Sequence, residues 1–281
     1  MKRSAMALLA VLFAVSLSAH DYSLIGSRTM FDLNRALADR YHAAHPDVAI
    51  SVSDAGTGKG IEAAIAGKAD IAAVTRRLRP EELQMLHQQV AGDGQMVPLA
   101  REGIAIYVNQ KNPVSELTPQ EIAAIFSGKI TNWSAVGGPN LPIHVYSFDN
   151  TTGRYWYLNE EVMQKAPLVA TARYTDAGGG RVDAGTVKLK EEQMQSWVAG
   201  DPASIGYGDL KRIGKVKLVA IMNGGSAYLP TAANLQAGVY PLVRTLAYFF
   251  RRPPGGDLAA FSRWAASQRE IIELHGFAPL K

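Results

Sequence analysis

A glycine-rich stretch near the amino end of the chain constrains its fold more than any other feature. It reads Ser-Asp-Ala-Gly-Thr-Gly-Lys-Gly over 53–60, follows an apolar alternation over 48–52, and runs into an apolar helical repeat that begins at Ile61. The pattern predicts the end of a strand, a tight turn and the start of a helix. Because the first amides of a helix have no internal acceptor and the helix dipole is positive there, the stretch predicts an anion-binding turn.

The glycines of this stretch leave two other interpretations open. They also fit a tight turn with no ligand, and they are superficially like a nucleotide-binding P-loop. Lys59 is followed by Gly60, where the P-loop motif needs Ser or Thr, and this argues against a nucleoside triphosphatase. Similar turns elsewhere in the chain favour the anion site over a purely structural turn.

Strand and helix patterns alternate through the first part of the chain. Apolar runs at 22–25, 48–52 and 70–74 predict strands, and the repeats that follow residues 29 and 60 predict helices. This order favours parallel strands with helices on the faces of the sheet. Ligands of such sheets collect at the carboxyl ends of the strands, where this chain carries hydroxyl and basic residues. These residues are Ser27, Thr29, Thr57, Thr75 and Arg76.

A second turn of the same kind lies far along the chain. After a predicted strand at 143–146, the sequence Ser-Phe-Asp-Asn-Thr-Thr-Gly-Arg over 147–154 leads into another helical pattern. Two such turns suggest two lobes that face each other across a cleft, which is the usual place for a small ligand. The sequence therefore predicts an α/β fold of two lobes, each a mostly parallel sheet flanked by helices.

The amino-terminal residues predict export. Lys2 and Arg3 precede an apolar run that ends in small residues at 16–19, so we expect residues 1–19 to be a removed signal peptide. The run is shorter than the roughly 20 residues that span a bilayer, so we expect no membrane anchor. The chain contains no cysteine, which excludes disulfides and attachment through a lipidated cysteine. These features predict a soluble periplasmic protein.

Charge and motif content argue against other classes of function. A formal net charge of +4, with no basic run interleaved with aromatic residues, does not indicate nucleic-acid binding. The 6 His residues show no HExxH or other compact ligand spacing, so we expect neither a metal nor a cofactor. No serine stands in a Gly-x-Ser-x-Gly elbow, and the serines of the turns have no identifiable base.

Short motifs spread along the chain add a further indication. They lie at 26–30 (Gly-Ser-Arg-Thr-Met), 55–61, 69–72, 125–133 (Ile-Phe-Ser-Gly-Lys-Ile-Thr-Asn-Trp), 202–207, 240–242 and 276–280. Together they resemble the PstS-like periplasmic phosphate-binding proteins of ABC importers, and the run at 125–133 is the most specific of them. The resemblance covers nearly all of the chain after residue 19. It implies a monomer that captures phosphate or a related oxyanion and delivers it to an inner-membrane ABC permease, without chemistry.

The resemblance also implies which residues contact the ligand. Carried over position by position, they are Ser27, Thr29, Met30, Thr57, Gly58, Thr75, Arg76, Thr151, Thr152, Gly153 and Arg154. The chain departs from the family pattern in three places. It has Thr75 and then Arg76 where high-affinity phosphate binders often have an Asp, and Phe148 where they have an arginine before a Ser-Gly-Thr turn. The turn itself is Thr152-Gly153-Arg154.

These departures bear on which anion is bound. Phosphate differs from sulfate in carrying a proton at neutral pH, so selectivity requires an acceptor, and Asp54 and Asp149 are the candidates. Conversely, Arg28, Arg76 and Arg154 would make the site more cationic, which favours a fully charged or carboxylate-bearing anion. The sequence supports the anion class more strongly than phosphate itself.

The resemblance further divides the chain into lobes. Residues 20–103 and 222–281 are expected to form the first lobe and residues 104–221 the second.

Trp133 is interpreted as a packing residue. Two alternative functions stay open on the same fold, an exported phosphate-ester hydrolase and a signalling or adhesion protein that does not transport.

Overall fold

The computed structural model describes residues 20–148, 153–168, 174–175, 181–182, 191–210 and 213–280. The predicted signal peptide, 1–19, lies outside these residues. The α-helices are α1 (Phe31–Ala44), α2 (Thr57–Ile65), α3 (Pro80–His87), α4 (Pro119–Phe126), α5 (Gly153–Tyr157), α6 (Glu191–Gly200), α7 (Ala232–Ala237), α8 (Gly256–Ser267) and α9 (Arg269–Leu274). Short 3-10 helices span Arg28–Met30 and Trp133–Val136, and a π-helical segment spans Leu158–Val162.

The strands form two main sheets and two smaller ones. They are β1 (His20–Gly26), β2 (Val48–Ser53), β3 (Ile71–Val74), β4 (Gln95–Gly103), β5 (Ala105–Asn109), β6 (Glu116–Leu117), β7 (His144–Val145), β8 (Tyr174–Thr175), β9 (Arg181–Val182), β10 (Ser204–Gly208), β11 (Val216–Leu218), β12 (Ala220–Asn223), β13 (Ser226–Tyr228), β14 (Val243–Phe250) and β15 (Ala278–Pro279).

The first lobe surrounds a sheet that has six strands within the described residues, in the order β15-β4-β14-β3-β1-β2. Strands β2, β1 and β3 pair in parallel, as the alternating strand and helix patterns predict. Strands β14, β4 and β15 pair antiparallel, so the sheet is mixed and the expectation of mostly parallel sheets is wrong for this half. The reason is the path of the chain. It leaves the first lobe along β4 and returns along β14, so the two strands lie side by side in opposite directions.

The second lobe surrounds the sheet β11-β5-β10-β7 and carries the smaller sheet β13-β12-β6. This main sheet is also mixed, because β10 is parallel to β7 and antiparallel to β5. The two-lobed α/β fold is therefore as predicted. The lobe boundaries at 103/104 and 221/222 remain a prediction. Strands of the first sheet come from residues before 104 and after 242, and strands of the main second sheet come from residues between them.

Local sequence signals explain several helix ends. Thr118 caps α4 by accepting a hydrogen bond from the Glu121 amide at 3.1 Å, and Glu121 accepts in return from the Thr118 amide at 2.7 Å. A Thr followed three residues later by a Glu is a sequence signature of this capping box. Trp133 is fully buried and its indole donates to the carbonyl of Ala203 at 2.8 Å. The interpretation of Trp133 as a packing residue is confirmed.

Two predicted elements are interrupted. The apolar residues over 216–221 predict one strand, but it divides at Val219, because β11 pairs with β5 while β12 pairs with β6 in another sheet. The apolar residues Phe261, Trp264, Ala265 and Ile272 predict one final helix, but it divides at Gln268, whose φ of −81° and ψ of 66° are not helical. Every helix in the described ranges is too short or too polar to cross a lipid bilayer.

Gly60 marks a point where α2 packs directly on β1. A Cβ at this position would lie 2.5 Å from the Ile25 carbonyl oxygen and 2.7 Å from the Gly26 Cα. Because both contacts are backbone atoms, Gly60→Ala is expected to lower the free energy of unfolding by about 1–3 kcal/mol. Denaturant unfolding measures this change.

The matched control is Gly58→Ala in the same helix. A Cβ there would meet only Arg76 Nη2, at 3.8 Å, and the residue has no left-handed φ. The free energy of unfolding of the Gly58→Ala protein is expected to change by less than about 1 kcal/mol. Equal losses for Gly58→Ala and Gly60→Ala would contradict the close helix–strand contact.

Candidate functional site

The glycine-rich stretch over 53–60 contains the end of β2, a short connection and the start of α2, in the order that the sequence predicts. Thr57 is the first helical residue, and Gly56, with φ of 95°, occupies the preceding position, which glycine adopts most readily. Since Gly56 has no side chain to cap the helix, the first amides of α2 point outward without an intrahelical acceptor. The Thr57 hydroxyl lies beside them, 3.3 Å from the hydroxyl of Thr75 at the end of β3.

Arg244 on β14 is the most unusual residue near this helix end. Its side chain is buried, with the residue 3% exposed, in an otherwise apolar strand. Its Nε donates to Glu102 Oε2 at 2.6 Å, and its Nη2 donates to the Thr29 hydroxyl at 3.2 Å. Its Nη1 is buried and has no hydrogen-bond partner among the described residues. A buried guanidinium nitrogen without an acceptor is costly, which points to a missing ligand at this place.

Gly153 brings the second lobe to the same place. A Cβ on Gly153 would lie 3.0 Å from Thr75 Oγ1 and 3.2 Å from Arg244 Nη1. The backbone of α5 therefore approaches the free nitrogen of Arg244 across the gap between the lobes. We call the group formed by these residues the Arg244 cluster, and its members are Thr29, Thr57, Thr75, Glu102, Gly153 and Arg244.

Arg154 connects the cluster to the second lobe. Its Nη2 donates to Asp209 Oδ2 at 2.6 Å and lies 3.9 Å from Glu102 Oε1. Its guanidinium carbon also lies 5.7 Å from the ring of Phe148, which is buried in the core of that lobe. Arg154 is thus held in an ion-pair network that crosses from one lobe to the other.

Arg76 lies close to α2 and faces an acid of its own. Its two terminal nitrogens donate to the two carboxylate oxygens of Glu82, both at 2.7 Å. Arg76 lies near Gly58, but both of its terminal nitrogens are already bonded to Glu82. Glu82 Oε2 also accepts a hydrogen bond from the backbone amide of Arg79, at 2.7 Å.

Ser27, Met30 and Asp54, which the sequence also predicts, are not members of the Arg244 cluster. The Met30 side chain packs in the core of the first lobe, and its amide donates to the Ser27 carbonyl at 3.1 Å. Ser27 is buried and its own amide donates to Ala73. Asp54 is exposed. The predicted residues Asp149, Thr151 and Thr152 lie outside the described residues.

The charges around the cluster are balanced. The expectation that arginines make this region cationic does not hold for Arg76 and Arg154, because each has a carboxylate partner within 2.7 Å, whereas Arg28 donates to the backbone carbonyl of Asp54 at 3.3 Å. The pairs are Arg244–Glu102, Arg154–Asp209 and Arg76–Glu82. An anion placed here would be held mainly by directed hydrogen bonds rather than by excess positive charge.

Tyr157, at the end of α5, adds a neutral hydroxyl nearby. Burial raises the pKa of Tyr157, and the charge of Arg244 lowers it by less. The phenol therefore stays protonated at physiological pH. Among the described residues, no group of three or more His, Asp or Glu side chains is arranged to hold a metal ion.

Sequence reasoning missed Arg244 and Glu102. The two residues are 142 positions apart and become direct cross-strand neighbours only when β14 pairs with β4. A signal was nevertheless present, since each is a charged residue at the end of a strand whose other residues are largely apolar. Charged residues are rarely buried unless they are paired or functional.

A contact outside the cluster also joins the lobes. The guanidinium carbon of Arg79, which precedes α3, lies 4.1 Å from the ring centroid of Trp156 on α5. Its Nε lies 3.7 Å from a carboxylate oxygen of Glu160 in the π-helical segment. This cation–π contact and ion pair connect the two sides of the gap.

Comparison with known proteins gives consistent matches. The family model described as the PBP superfamily domain matches residues 18–269. The chain is 30% identical to SphX of Synechococcus elongatus over 231 residues, which cover 78% of this chain and 64% of SphX. It is 26% identical to the phosphate-binding protein PstS of Pseudomonas aeruginosa over 278 residues, which cover 92% of this chain and 82% of PstS.

A solved structure has the same fold. The ABC-type phosphate transport receptor from Vibrio cholerae superposes with a TM-score of 0.73 at 24% sequence identity, covering 92% of this chain and all of the receptor. At this level of identity the similarity establishes the fold alone. The chain spans less than two thirds of the length of SphX and most of the length of PstS.

Proposed function

We propose that this chain, which belongs to the PBP superfamily, is a periplasmic solute-binding protein. It captures inorganic phosphate, or a similar tetrahedral oxyanion, and delivers it to an ABC permease. The relatives named above as phosphate-binding proteins and as a phosphate transport receptor support this choice of ligand. The protein acts as a monomer and performs no chemistry.

The observation that carries the proposal is the free Nη1 of Arg244. It is a buried, charged donor that faces Thr75 and the backbone at Gly153, next to the amino end of α2. An oxyanion at this point accepts from the guanidinium, from the Thr57 and Thr75 hydroxyls and from the first amides of the helix. The ligand residues proposed here are therefore Thr57, Gly58, Thr75, Gly153 and Arg244. Thr29 acts by holding Arg244.

Glu102 supplies the acceptor that the sequence left open between Asp54 and Asp149. Its Oε1 is buried and, like Arg244 Nη1, has no hydrogen-bond partner among the described residues. A monoprotonated oxyanion offers both an acceptor for the arginine and a proton for the carboxylate, whereas sulfate offers no proton at neutral pH. This favours hydrogen phosphate and arsenate over sulfate.

A calorimetric titration panel tests the proposal. Ligand-stripped protein is titrated with phosphate, arsenate, sulfate and small carboxylates. We expect saturable binding of phosphate and arsenate, with weaker binding of sulfate. Failure to bind any tetrahedral oxyanion would overturn the proposal, and turnover of a generic phosphate ester would favour the hydrolase alternative instead.

The contact made by Arg79 provides a test of lobe closure. Because its cation–π interaction with Trp156 joins the lobes, Arg79→Ala is expected to lower phosphate affinity by about 2- to 30-fold, mainly through faster dissociation. Stopped-flow binding measures the dissociation rate. Arg35→Ala is the matched control, since Arg35 makes the same kind of contact with Phe31 inside α1, at 5.8 Å. Equal dissociation rates for the two variants would show that the contact of Arg79 does not hold the lobes together.

A further inference from the structure

Glu102 lies between two arginines, one from each lobe. Its Oε2 accepts from Arg244 Nε at 2.6 Å, across the pairing of β4 with β14. Its Oε1 is buried and has no hydrogen-bond partner among the described residues, although Arg154 Nη2 of α5 lies 3.9 Å away. Because a hydrogen bond from nitrogen to oxygen needs about 2.7–3.2 Å, a movement of about 1 Å would bring Arg154 into contact with this oxygen.

Asp209 keeps Arg154 from making that movement. It directly follows β10 in the second lobe, and its side chain is 12% exposed. Its Oδ2 accepts from the same nitrogen, Arg154 Nη2, at 2.6 Å. Hydrogen bonds between charged partners are roughly twice as strong as those between neutral groups. The nitrogen that faces both carboxylates is therefore bonded to Asp209 and not to Glu102.

The position of Arg154 affects which anion the site prefers. A carboxylate with an available oxygen accepts the proton of hydrogen phosphate and repels sulfate, which has no proton to donate at neutral pH. A guanidinium bonded to Glu102 Oε1 would occupy this oxygen and offset its charge. Phosphate would then lose its acceptor, and sulfate would meet less repulsion.

We propose that Asp209 determines the selectivity for hydrogen phosphate over sulfate by holding Arg154 away from Glu102 Oε1. This role rests on the proposed oxyanion site and on Glu102 as its proton acceptor. Asp209 is a positioning residue, because it acts on the anion only through Arg154 and Glu102. The role also links selectivity to closure of the lobes, since Arg154 and Asp209 come from the second lobe and Glu102 from the first.

Asp209→Asn tests the proposal, because it removes the charge and keeps the size of the side chain. Calorimetry gives the dissociation constant of phosphate, and displacement of bound phosphate gives that of sulfate. We expect the ratio of the sulfate constant to the phosphate constant to fall by about 10-fold or more, because phosphate binds more weakly and sulfate more tightly. Thermal unfolding checks that the variant is folded.

The ratio separates a positioning role from a purely structural one, since a structural defect would weaken both anions alike. An unchanged ratio in the Asp209→Asn protein would overturn the proposal, and phosphate binding by the wild type would leave the proposed function standing. A wild-type protein that binds sulfate as tightly as phosphate would also overturn it. Binding of neither anion by the wild type would overturn both.

Removal of Arg154 in the same protein should restore the selectivity. In the protein with both Asp209→Asn and Arg154→Met, no guanidinium from α5 competes for Glu102 Oε1, and neither charge of the pair is left buried alone. The ratio is expected to return to within about 3-fold of the wild-type value. A double variant that is as unselective as Asp209→Asn would show that Asp209 does not act through Arg154, and would overturn the proposal.

Asp201→Asn is the matched control, because Asp201 lies just before β10 and Asp209 just after it. The Asp201 carboxylate is hydrogen-bonded to His144 Nδ1 at 2.7 Å and accepts from the Tyr146 hydroxyl at 3.0 Å. Its replacement is expected to leave the ratio within about 3-fold of the wild-type value. An equal fall of the ratio in the Asp201→Asn and Asp209→Asn proteins would indicate a general effect of charge in the second lobe and overturn the proposal.

Discussion

Replacing Arg244 and Glu102 together by methionine is expected to abolish phosphate binding while the protein remains folded. The pair is buried, with the two residues 3% and 2% exposed, and its loss removes the free Nη1 donor and the acceptor at Glu102. Truncating a buried charged contact costs about 2–5 kcal/mol of binding, so the affinity should fall by about 30-fold or more. Calorimetry measures the affinity, and thermal unfolding measures the stability.

The double replacement is needed because the single one confounds two effects. Arg244→Met alone leaves the Glu102 carboxylate buried without its partner, which is expected to cost about 3–5 kcal/mol of stability. Replacing both members with apolar side chains of similar volume is often neutral or stabilising. A double variant that is as stable as the wild type and binds phosphate equally well would show that Arg244 is not a ligand residue.

The Arg76–Glu82 pair provides the matched comparison. It has the same composition and a similarly short distance of 2.7 Å, but both terminal nitrogens of Arg76 are already used by Glu82. Replacing Arg76 and Glu82 by methionine is therefore expected to change phosphate affinity by less than about 10-fold. A larger loss here than at Arg244 would restore Arg76 as the principal cationic ligand, as the sequence resemblance implies.

A negative charge at the start of α2 is expected to have a comparably large effect. Thr57→Asp places a carboxylate where the oxyanion is proposed to bind, and two unit charges about 4 Å apart repel by about 4 kcal/mol near a protein surface. Binding should become undetectable by calorimetry. The fold should not suffer, since an acid at a helix amino end stabilises the helix by about 0.3–1 kcal/mol.

Thr57→Asp is expected to lower the affinity for phosphate without lowering the stability of the protein, and this difference makes the test specific. Thr57→Asn is the control, because it is close in size, polar and uncharged, and it should retain measurable binding. A Thr57→Asp protein that binds phosphate with wild-type affinity would show that the anion lies away from α2. A loss of both stability and binding would indicate misfolding rather than repulsion.

Much of the site follows from local sequence patterns. The alternation of strands and helices indicates that Thr57 and Thr75 lie at neighbouring strand ends, and their hydroxyls are 3.3 Å apart. Such prediction works because parallel strands joined by helices bring their carboxyl ends to one edge of the sheet. The strand and helix patterns also predict the second strand-to-helix turn. Gly153 of that turn lies close to Arg244 and Thr75.

The charged core of the site does not follow from local patterns. Arg244 and Glu102 meet only through the antiparallel pairing of β14 with β4, which depends on how the chain crosses between lobes and back. The acid partners of Arg76 and Arg154 were likewise not predicted, so the sequence suggests a cationic site where the structure has a balanced one. Pairing between distant segments is a property of the whole topology and leaves no short sequence signal.

A crystal structure of the protein with arsenate most directly tests the central claim, because the anomalous signal of arsenic locates the anion independently of any model of the site. We expect one arsenate between the lobes, with oxygens at about 2.7–3.2 Å from Arg244 Nη1 and from the Thr57 hydroxyl. An arsenate bound elsewhere, or a cleft that stays free of arsenate at saturating concentration, would contradict it.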